Sequence, residues 1–480
     1  MKIILRSILL LSSMLVAIII VHSILFNAKS VSVAAFKKDM SIDTTAVFHL
    51  QQAVHFQGVS YEDSVQAGLS AIDSFTTFLK NTYPDVFMEL AHETIGAHSL
   101  LLHWKGSTTS APVLFYAHLD VVPVEGVNWR FKPFQEEFQD DTIRGRGAID
   151  DKAGVIGILE GIHHLLIKSF KPKRDVYIAF GHDEEIGGDQ GAKIISDTLE
   201  QRGVQFDWIL DEGGLVAENM VPFVREPVAL VMTAEKGYMT VELRVTSNGG
   251  HSSFPPTETP TDILSSALVR LHQDPFERHV IPAVDRFMDA TGPQMGFPFQ
   301  VLFANRWLFN PIILGEYEKI PEANAMIRTT SACTILKGGV KENVIPSLVT
   351  AVLNIRLLPG DSSQMILEQL RQKVNDPRIE IVVKGIPMEA SSNASITGDG
   401  FEKISKTIRE VFPDAVVAPS LSIATTDSRH FTKIVKDTYR FLPVRMDRSI
   451  LSGMHGTNER LSARSFSETI LFYEKLLEKN

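Results

Sequence analysis

His118 and Asp120 stand two residues apart, directly after the apolar run Val113-Leu114-Phe115-Tyr116. On a strand that spacing puts both side chains on one face. Asp150-Asp151 follow Gly147 and open a helical pattern. Glu184-Glu185 close the apolar run Val176–Phe180, and Asp211 closes Phe206–Leu210. Far downstream, Ser452-Gly453-Met454-His455-Gly456 sets a histidine in a glycine-flanked loop. Imidazole and carboxylate donors without sulfur suit zinc, with cobalt and manganese as other candidates. More than one carboxylate per histidine points to paired ions sharing one Asp. Such a pair can polarise a carbonyl and lower the pKa of a shared water. A further acid outside the ligand set would then take the water's proton and pass it on.

Taken singly, each cluster also has an ordinary reading. Asp150 and Asp151 suit a helix cap, the acids Asp183-Glu184-Glu185 suit a solvated loop, and Asp211-Glu212-Gly213-Gly214 suits a turn. Their common placement at strand ends and helix starts favours convergence. Three adjacent acids in the run GHDEEIGG (181–188) also call for a positive partner. Other catalytic motifs fail. There is no G-x-S-x-G elbow and no P-loop, and His92-Glu93 lacks the second histidine of H-E-x-x-H.

The elements that must position these residues alternate between strands and helices. This indicates an α/β unit with a mostly parallel sheet, in which ligands gather at the carboxyl ends of strands. Helices are expected over Ala153–Ile167 and Asp189–Arg202, the latter with Asp189 as N-cap. From Gly237 the pattern changes. Met239–Val245 alternates like a half-exposed strand, and further strands and helices follow to Val383. This reads as a smaller α+β domain inserted into the first. Residues 274–345, rich in Pro, Phe and Gly, give no clear period. The expected division is 1–35 as an N-terminal anchor or signal segment, 36–232 and 389–480 as two parts of one domain, and 233–388 as the insertion.

The chain has 480 residues and a formal net charge of −10, which argues against nucleic acid as a partner. Its single cysteine, Cys333, excludes an intrachain disulfide. Ser7 to Ala28 carries no charged residue. As a helix it would extend roughly 33 Å, enough to cross a hydrocarbon core. An uncleaved membrane anchor with the remainder on the exported side is favoured. The alternative is a signal segment cleaved near Val33-Ala34-Ala35, giving a secreted or periplasmic protein.

In order, HLDVVP (118–123), GRGAIDDK (145–152), GHDEEIGG (181–188), DEGG (211–214), NGGHSS (248–253), NVIP (343–346) and GMHG (453–456) resemble the di-zinc metallopeptidase family of glutamate carboxypeptidase, aminoacylase and carboxypeptidase S. With TTDSRHF (425–431), the chain looks closest to the branch of carboxypeptidase S and the N-fatty-acyl-amino-acid synthase/hydrolases. The resemblance implies an α/β catalytic domain with an inserted α+β lid or dimerisation domain, and two zinc ions per chain. It implies that His118 and Asp211 hold one ion and Glu185 and His455 the other. Asp150 would bridge them through a residue joined to Asp151 by a cis peptide. Asp120 would orient His118, and Glu184 would act as general base and acid. His251 would stabilise the oxyanion, in the same or a neighbouring subunit of a homodimer. Asn343 and Arg356 would hold the substrate's carboxylate. The implied activity is cleavage of the amide bond to an amino acid with a free carboxylate, in N-acyl amino acids or at the C-terminus of peptides. Lid aromatics Phe287, Phe297, Phe299, Phe303, Trp307 and Phe309 would line an acyl pocket or form lid core. The rival reading is a catalytically inactive, metal-stabilised binding protein on the same scaffold.

Overall fold

A computed structural model describes residues 2–27, 29, 32, 41–61, 68–126 and 128–480. The candidate cleavage site at 33–35 lies outside them. Four parallel strands form the centre of the main sheet, in the order Val176–Gly181, Val113–His118, Phe206–Asp211 and Val435–Arg440. Antiparallel strands Ser99–Trp104 and Ala91–Ile95 extend one side. Val228–Glu235 continues the other side and pairs with Val416–Ser422 and Leu215–Ala217. The sheet is therefore mixed, ten-stranded and parallel where it matters for the site.

The central strands are apolar on both faces because both faces are covered. Val113, Phe115 and Ala117 point into a core with the helices Lys152–Ile167 and Ala463–Glu478. Leu114 and Tyr116 point into a second core with the helix Ala192–Gln201. The pairing register sets His118 opposite Gly181 and Asp211 opposite Arg440, so the polar strand ends fall along one edge. The expected cap by Asp189 is not formed. The helix starts at Ala192 behind Gly191, which gives no side-chain cap. Buried Asp183 instead accepts from the Gln190 amide at 2.7 Å, so the preceding turn is fixed from the strand side.

At Gly237 the chain leaves this sheet for an antiparallel one, ordered Thr330–Lys337, Leu348–Leu357, Gly237–Thr246 and Ile379–Met388. Outgoing and returning segments cross here. A Cβ on Gly237 would overlap the Met388 carbonyl. Alternate residues of Gly237–Thr246 and Leu348–Leu357 are buried. They pack under the helices Pro260–Gln273 and Ser363–Val374.

The stretch without a clear period is helical: Pro282–Thr291, Phe299–Ala304, Arg306–Tyr317 and Pro321–Ile327. These helices pack against Val228, Ala234, Ala418 and Leu421 of the main sheet. Their short lengths, Pro293 and Pro298 between them and Pro311 inside one of them hid the period. Phe287 and Phe303 are buried there, Phe299 and Phe309 pack on that core, and Phe297 and Trp307 are exposed. Buried Lys236 ties this segment to the crossing point, donating to the Ala325 and Arg328 carbonyls and to Thr330 Oγ1.

The contact between Lys152–Ile167 and Ala463–Glu478 carries a charge cluster. His164 Nδ1 lies 3.1 Å from Glu474 Oε2, and Lys168 Nζ lies 2.5 Å from Oε1. The His164 hydrogen bond, then Lys168, hold the Glu474 carboxyl at about 2, against an ordinary 4.5. A depressed acid contributes stability above its unfolded pKa and loses it as pH falls through the folded one. His164, raised by Glu474, loses its share as pH rises instead. Between pH 4.5 and about 2 the wild type should lose more unfolding free energy than Glu474→Gln, as read by urea titrations across that range.

Candidate metal centre

Two glutamates share the loop after the strand Val176–Gly181, and one carboxylate holds that loop. Asp120, wholly buried, accepts from the Glu184 amide at 3.1 Å on Oδ1 and from the Glu185 amide at 3.2 Å on Oδ2. Ser60 Oγ donates to the same Oδ2 at 2.7 Å. Asp120 also faces His118 Nδ1, through its carbonyl at 3.1 Å and Oδ1 at 3.3 Å. One residue thus fixes both the histidine ring and the diglutamate turn. The turn then needs Gly188 at φ +69°, where a Cβ would overlap Asp427 Oδ1.

Asp150 is placed from the other end of the chain. Buried Glu459 accepts from the amides of Gly147 at 2.9 Å, Ile149 at 2.8 Å and Asp150 at 3.2 Å, and from Arg146 Nη1 at 2.6 Å. The Asp150–Asp151 peptide is cis. Asp150 Oδ1 faces His118 Nε2 at 2.9 Å and Oδ2 faces His455 Nε2 at 3.0 Å. His455 Nε2 is also 3.2 Å from Glu185 Oε2, while Glu185 Oε1 is buried with no protein partner. Among the described residues, ligand atoms of His118, Asp150 and Glu185 lie within 4.8 Å of one another.

The electrostatics call for positive charge. Burial alone would lower the His118 pKa, yet its hydrogen bonds to Asp120 and Asp150, with their charges, hold it well above the ordinary value. Hydrogen bonds to Asp150 and Glu185 raise His455 to about 10. Burial, with the Asp150 charge, raises the Glu185 carboxyl to about 7. Glu184 goes well above the carboxylate range, mainly through burial. A carboxylate with one oxygen toward each of two imidazoles, beside an orphaned buried carboxylate oxygen, fits bound cations.

Asp211, expected as a ligand, is buried and accepts one backbone amide at each oxygen. Its Oδ1 accepts from the Glu212 amide at 2.9 Å and its Oδ2 from the Ser428 amide at 2.8 Å. After burial, its strongest electrostatic neighbour is Arg440. Glu212 instead feels burial, then Asp150 and His118. His251 and Asn343 sit together on a small exposed ribbon, where His251 pairs with Val344 and the Ser252 amide donates to the Asn343 carbonyl at 3.1 Å. Among the described residues neither touches the cluster within this chain. Arg356 lies eight residues along from Leu348 on the same strand, about 26 Å at strand rise. It stacks over Tyr238 with its Nη1 buried and unpartnered. It also feels Glu235 and Arg429, and Arg429 donates to the Gly187 carbonyl in the diglutamate turn.

Sequence reasoning missed Glu459 and Ser60. Glu459 follows His455 by four residues, and nothing in its type distinguishes it from a surface acid. Glu459→Ala would leave Arg146 buried and unpaired and three amides unmatched. It should destabilise the fold by about 3–5 kcal/mol. Metal content should fall even below the unfolding temperature, as checked by chemical denaturation and by metal analysis of the folded fraction.

The family model for Peptidase family M20/M25/M40 matches residues 114–479. The chain is 37% identical over 438 residues to the N-fatty-acyl-amino acid synthase/hydrolase PM20D1 of Xenopus tropicalis, covering 90% of this chain and 85% of that one. It is 35% identical to the probable carboxypeptidase S-like 2 of Dictyostelium discoideum, covering 99% and 93%. The fold is similar to that of the M20 family metallo-carboxypeptidase Sso-CP2 of Sulfolobus solfataricus, at TM-score 0.64 and 20% identity over 90% of this chain and 98% of that one. Human carnosine dipeptidase 1 aligns with TM-score 0.64 at 16% identity, over 91% and 96%. Motif order, sheet-edge cluster and these matches agree that the chain belongs to the M20 peptidase family and is a metal-dependent hydrolase.

Proposed function

We propose that this chain is a di-zinc amidohydrolase that cleaves N-acyl amino acids, fatty-acyl ones included, releasing an amino acid with a free carboxylate. The observation carrying this reading is the Asp150 carboxylate, which offers one oxygen toward His118 and the other toward His455. In this reading His118, Asp150 and Asp211 would hold one ion, and Asp150, Glu185 and His455 the other. Each Asp211 oxygen accepts one backbone amide, which fixes the carboxylate and leaves a lone pair for the ion. The donor set favours zinc, with cobalt or manganese able to substitute. When bound, the ions would polarise the scissile carbonyl and acidify an attacking water.

Glu184 takes the water's proton at its carboxylate and delivers it to the leaving amine nitrogen. Asp120 keeps the His118 proton on Nδ1 and leaves Nε2 as the donor atom. Arg356, with an unpartnered Nη1, receives the substrate carboxylate. The exposed ribbon carrying His251 and Asn343 would complete the site of a second copy, His251 as oxyanion donor. The separation of this ribbon from Arg356 along one strand supports a homodimer. Residues 36–232 and 389–480 act as the catalytic unit and 233–388 as the lid, although the helices between Pro282 and Ile327 pack with the catalytic sheet. The exposed, apolar helix Lys2–Asn27 anchors the enzyme in a membrane with the catalytic unit on the exported side. The second reading is a carboxypeptidase, favoured by the Dictyostelium relative that covers 99% of this chain.

The deciding experiment compares long-acyl, short-acyl and dipeptide substrates sharing one C-terminal amino acid, using zinc-loaded full-length enzyme. The long-acyl substrate should show the highest kcat/KM. A dipeptide preference would select the second reading, and no hydrolysis of any of them would defeat both. Glu184→Gln should lower kcat by roughly 10²–10⁴-fold. It should keep about two zinc ions per chain. Asp211→Asn should lose one ion, as counted by elemental analysis.

A further inference from the structure

The helix Lys2–Asn27 does not stand apart from the folded chain. Phe26 is buried against Gly292 and Phe303. Buried Asn305 donates through Nδ2 to the Ile19 carbonyl and to Ser23 Oγ, each at 3.3 Å. Gln300 Nε2 donates to Asn27 Oδ1 at 2.8 Å. The rings of His22 and Trp307 meet edge to face, with centroids 6.4 Å apart. The last third of the apolar helix is therefore seated on the segment Phe299–Tyr317.

This contact has a geometric consequence if the helix is a membrane span, and so the inference rests on the anchor reading above. A hydrocarbon core about 30 Å thick needs about 20 helical residues. The charge-free stretch begins after Arg6 and meets its next charge at Lys29. Ser7 to Ala28 supplies that length with about two residues to spare. Ile19 to Phe26, at about 1.5 Å per residue, then occupies the outer ~10 Å of the core. Whatever touches Ile19, His22 and Ser23 must reach to that level.

The surface beside the contact suits that depth. On the helix Arg306–Tyr317, Trp307, Leu308, Pro311 and Ile312 form one exposed apolar patch. Trp307 is 57% and Ile312 54% exposed, and Phe297 before the helices is 84% exposed. The charges beside the patch are paired: Arg306 is held by Asp285 at 2.8 Å and Asp289 at 2.7 Å, and Glu316, at the far end of the patch, pairs with Lys319 at 2.7 Å. An apolar helical face with an indole at its margin is the composition of an interfacial helix.

We propose that the face formed by Phe297, Trp307, Leu308 and Ile312 is a second membrane contact, embedded at the headgroup–acyl boundary of the bilayer that the N-terminal helix crosses. The enzyme is thereby held at two points, with a fixed orientation to the membrane. Its occupant is the lipid surface itself, selected by the depth that Asn305 and Phe26 impose.

The test uses full-length protein carrying Cys333→Ser in vesicles of phosphatidylcholine and phosphatidylglycerol. A single cysteine replaces Leu11, Phe297, Ile312 or Met88 and carries an environment-sensitive fluorophore. Met88, 86% exposed and remote from the contact, is the aqueous control. Labels at 297 and 312 should shift to the blue relative to 88. They should be quenched more by lipids spin-labelled near the headgroup than by those labelled near the chain end, whereas the label at 11 should show the reverse preference. An embedded label at 11 with aqueous labels at 297 and 312 overturns this inference and leaves the anchor standing. Aqueous labels at all positions overturn both. A double variant, Trp307→Ser with Ile312→Ser, separates lipid contact from local packing. It should remain bound through its span, but its label at 297 should lose most of its blue shift.

Discussion

Four donors converge on the carboxylate of Glu459: the Arg146 guanidinium and the amides of Gly147, Ile149 and Asp150. This residue has no exposed surface, so its charge is tolerable only because each donor is present. The arrangement forces the 146–150 loop into one conformation and brings it against the loop that carries His455. Asp150 can face two histidines at once because its own backbone has no freedom left. The metal centre is thus a consequence of a buried polar junction that contributes no ligand.

Asp120 performs the matching task on the other side. By accepting from successive amides, it separates the directions of Glu184 and Glu185 and so allows adjacent acids to do different work. Such amide clamps act over one residue, which explains why a diglutamate is usable where a single glutamate on a longer loop would be loosely placed. Arg356 lies on the four-stranded sheet opposite Tyr238, beside the crossing at Gly237. His251 lies on a separate two-stranded ribbon, with Asn343 at its edge.

Much of this was legible in the sequence because apolar runs end abruptly in polar residues. His118, Asp150, Glu185 and His455, singled out by their places at strand ends, a helix start and a glycine-flanked loop, are brought together by the fold. The alternating strand Met239–Val245 announced the second sheet. What stayed hidden depends on long-range partners. Glu459 and Ser60 act through backbone amides and a hydroxyl contact, and nothing in their neighbourhoods marks them. Asp211 takes amides from Glu212 and from Ser428, the latter more than two hundred residues away, a partner its own neighbourhood does not announce. Asp189 looked like a cap because its type fits, but Asp183 had already claimed the turn.

The Glu459 junction also sets an order of events in the life of the molecule. Asp150 appears early, but the acid that fixes its loop is added some three hundred residues later, together with His455. Until then the incomplete chain holds exposed carboxylates with no assembled centre. Asp150 therefore gains its fixed place only when the segment carrying Glu459 and His455 packs against its loop.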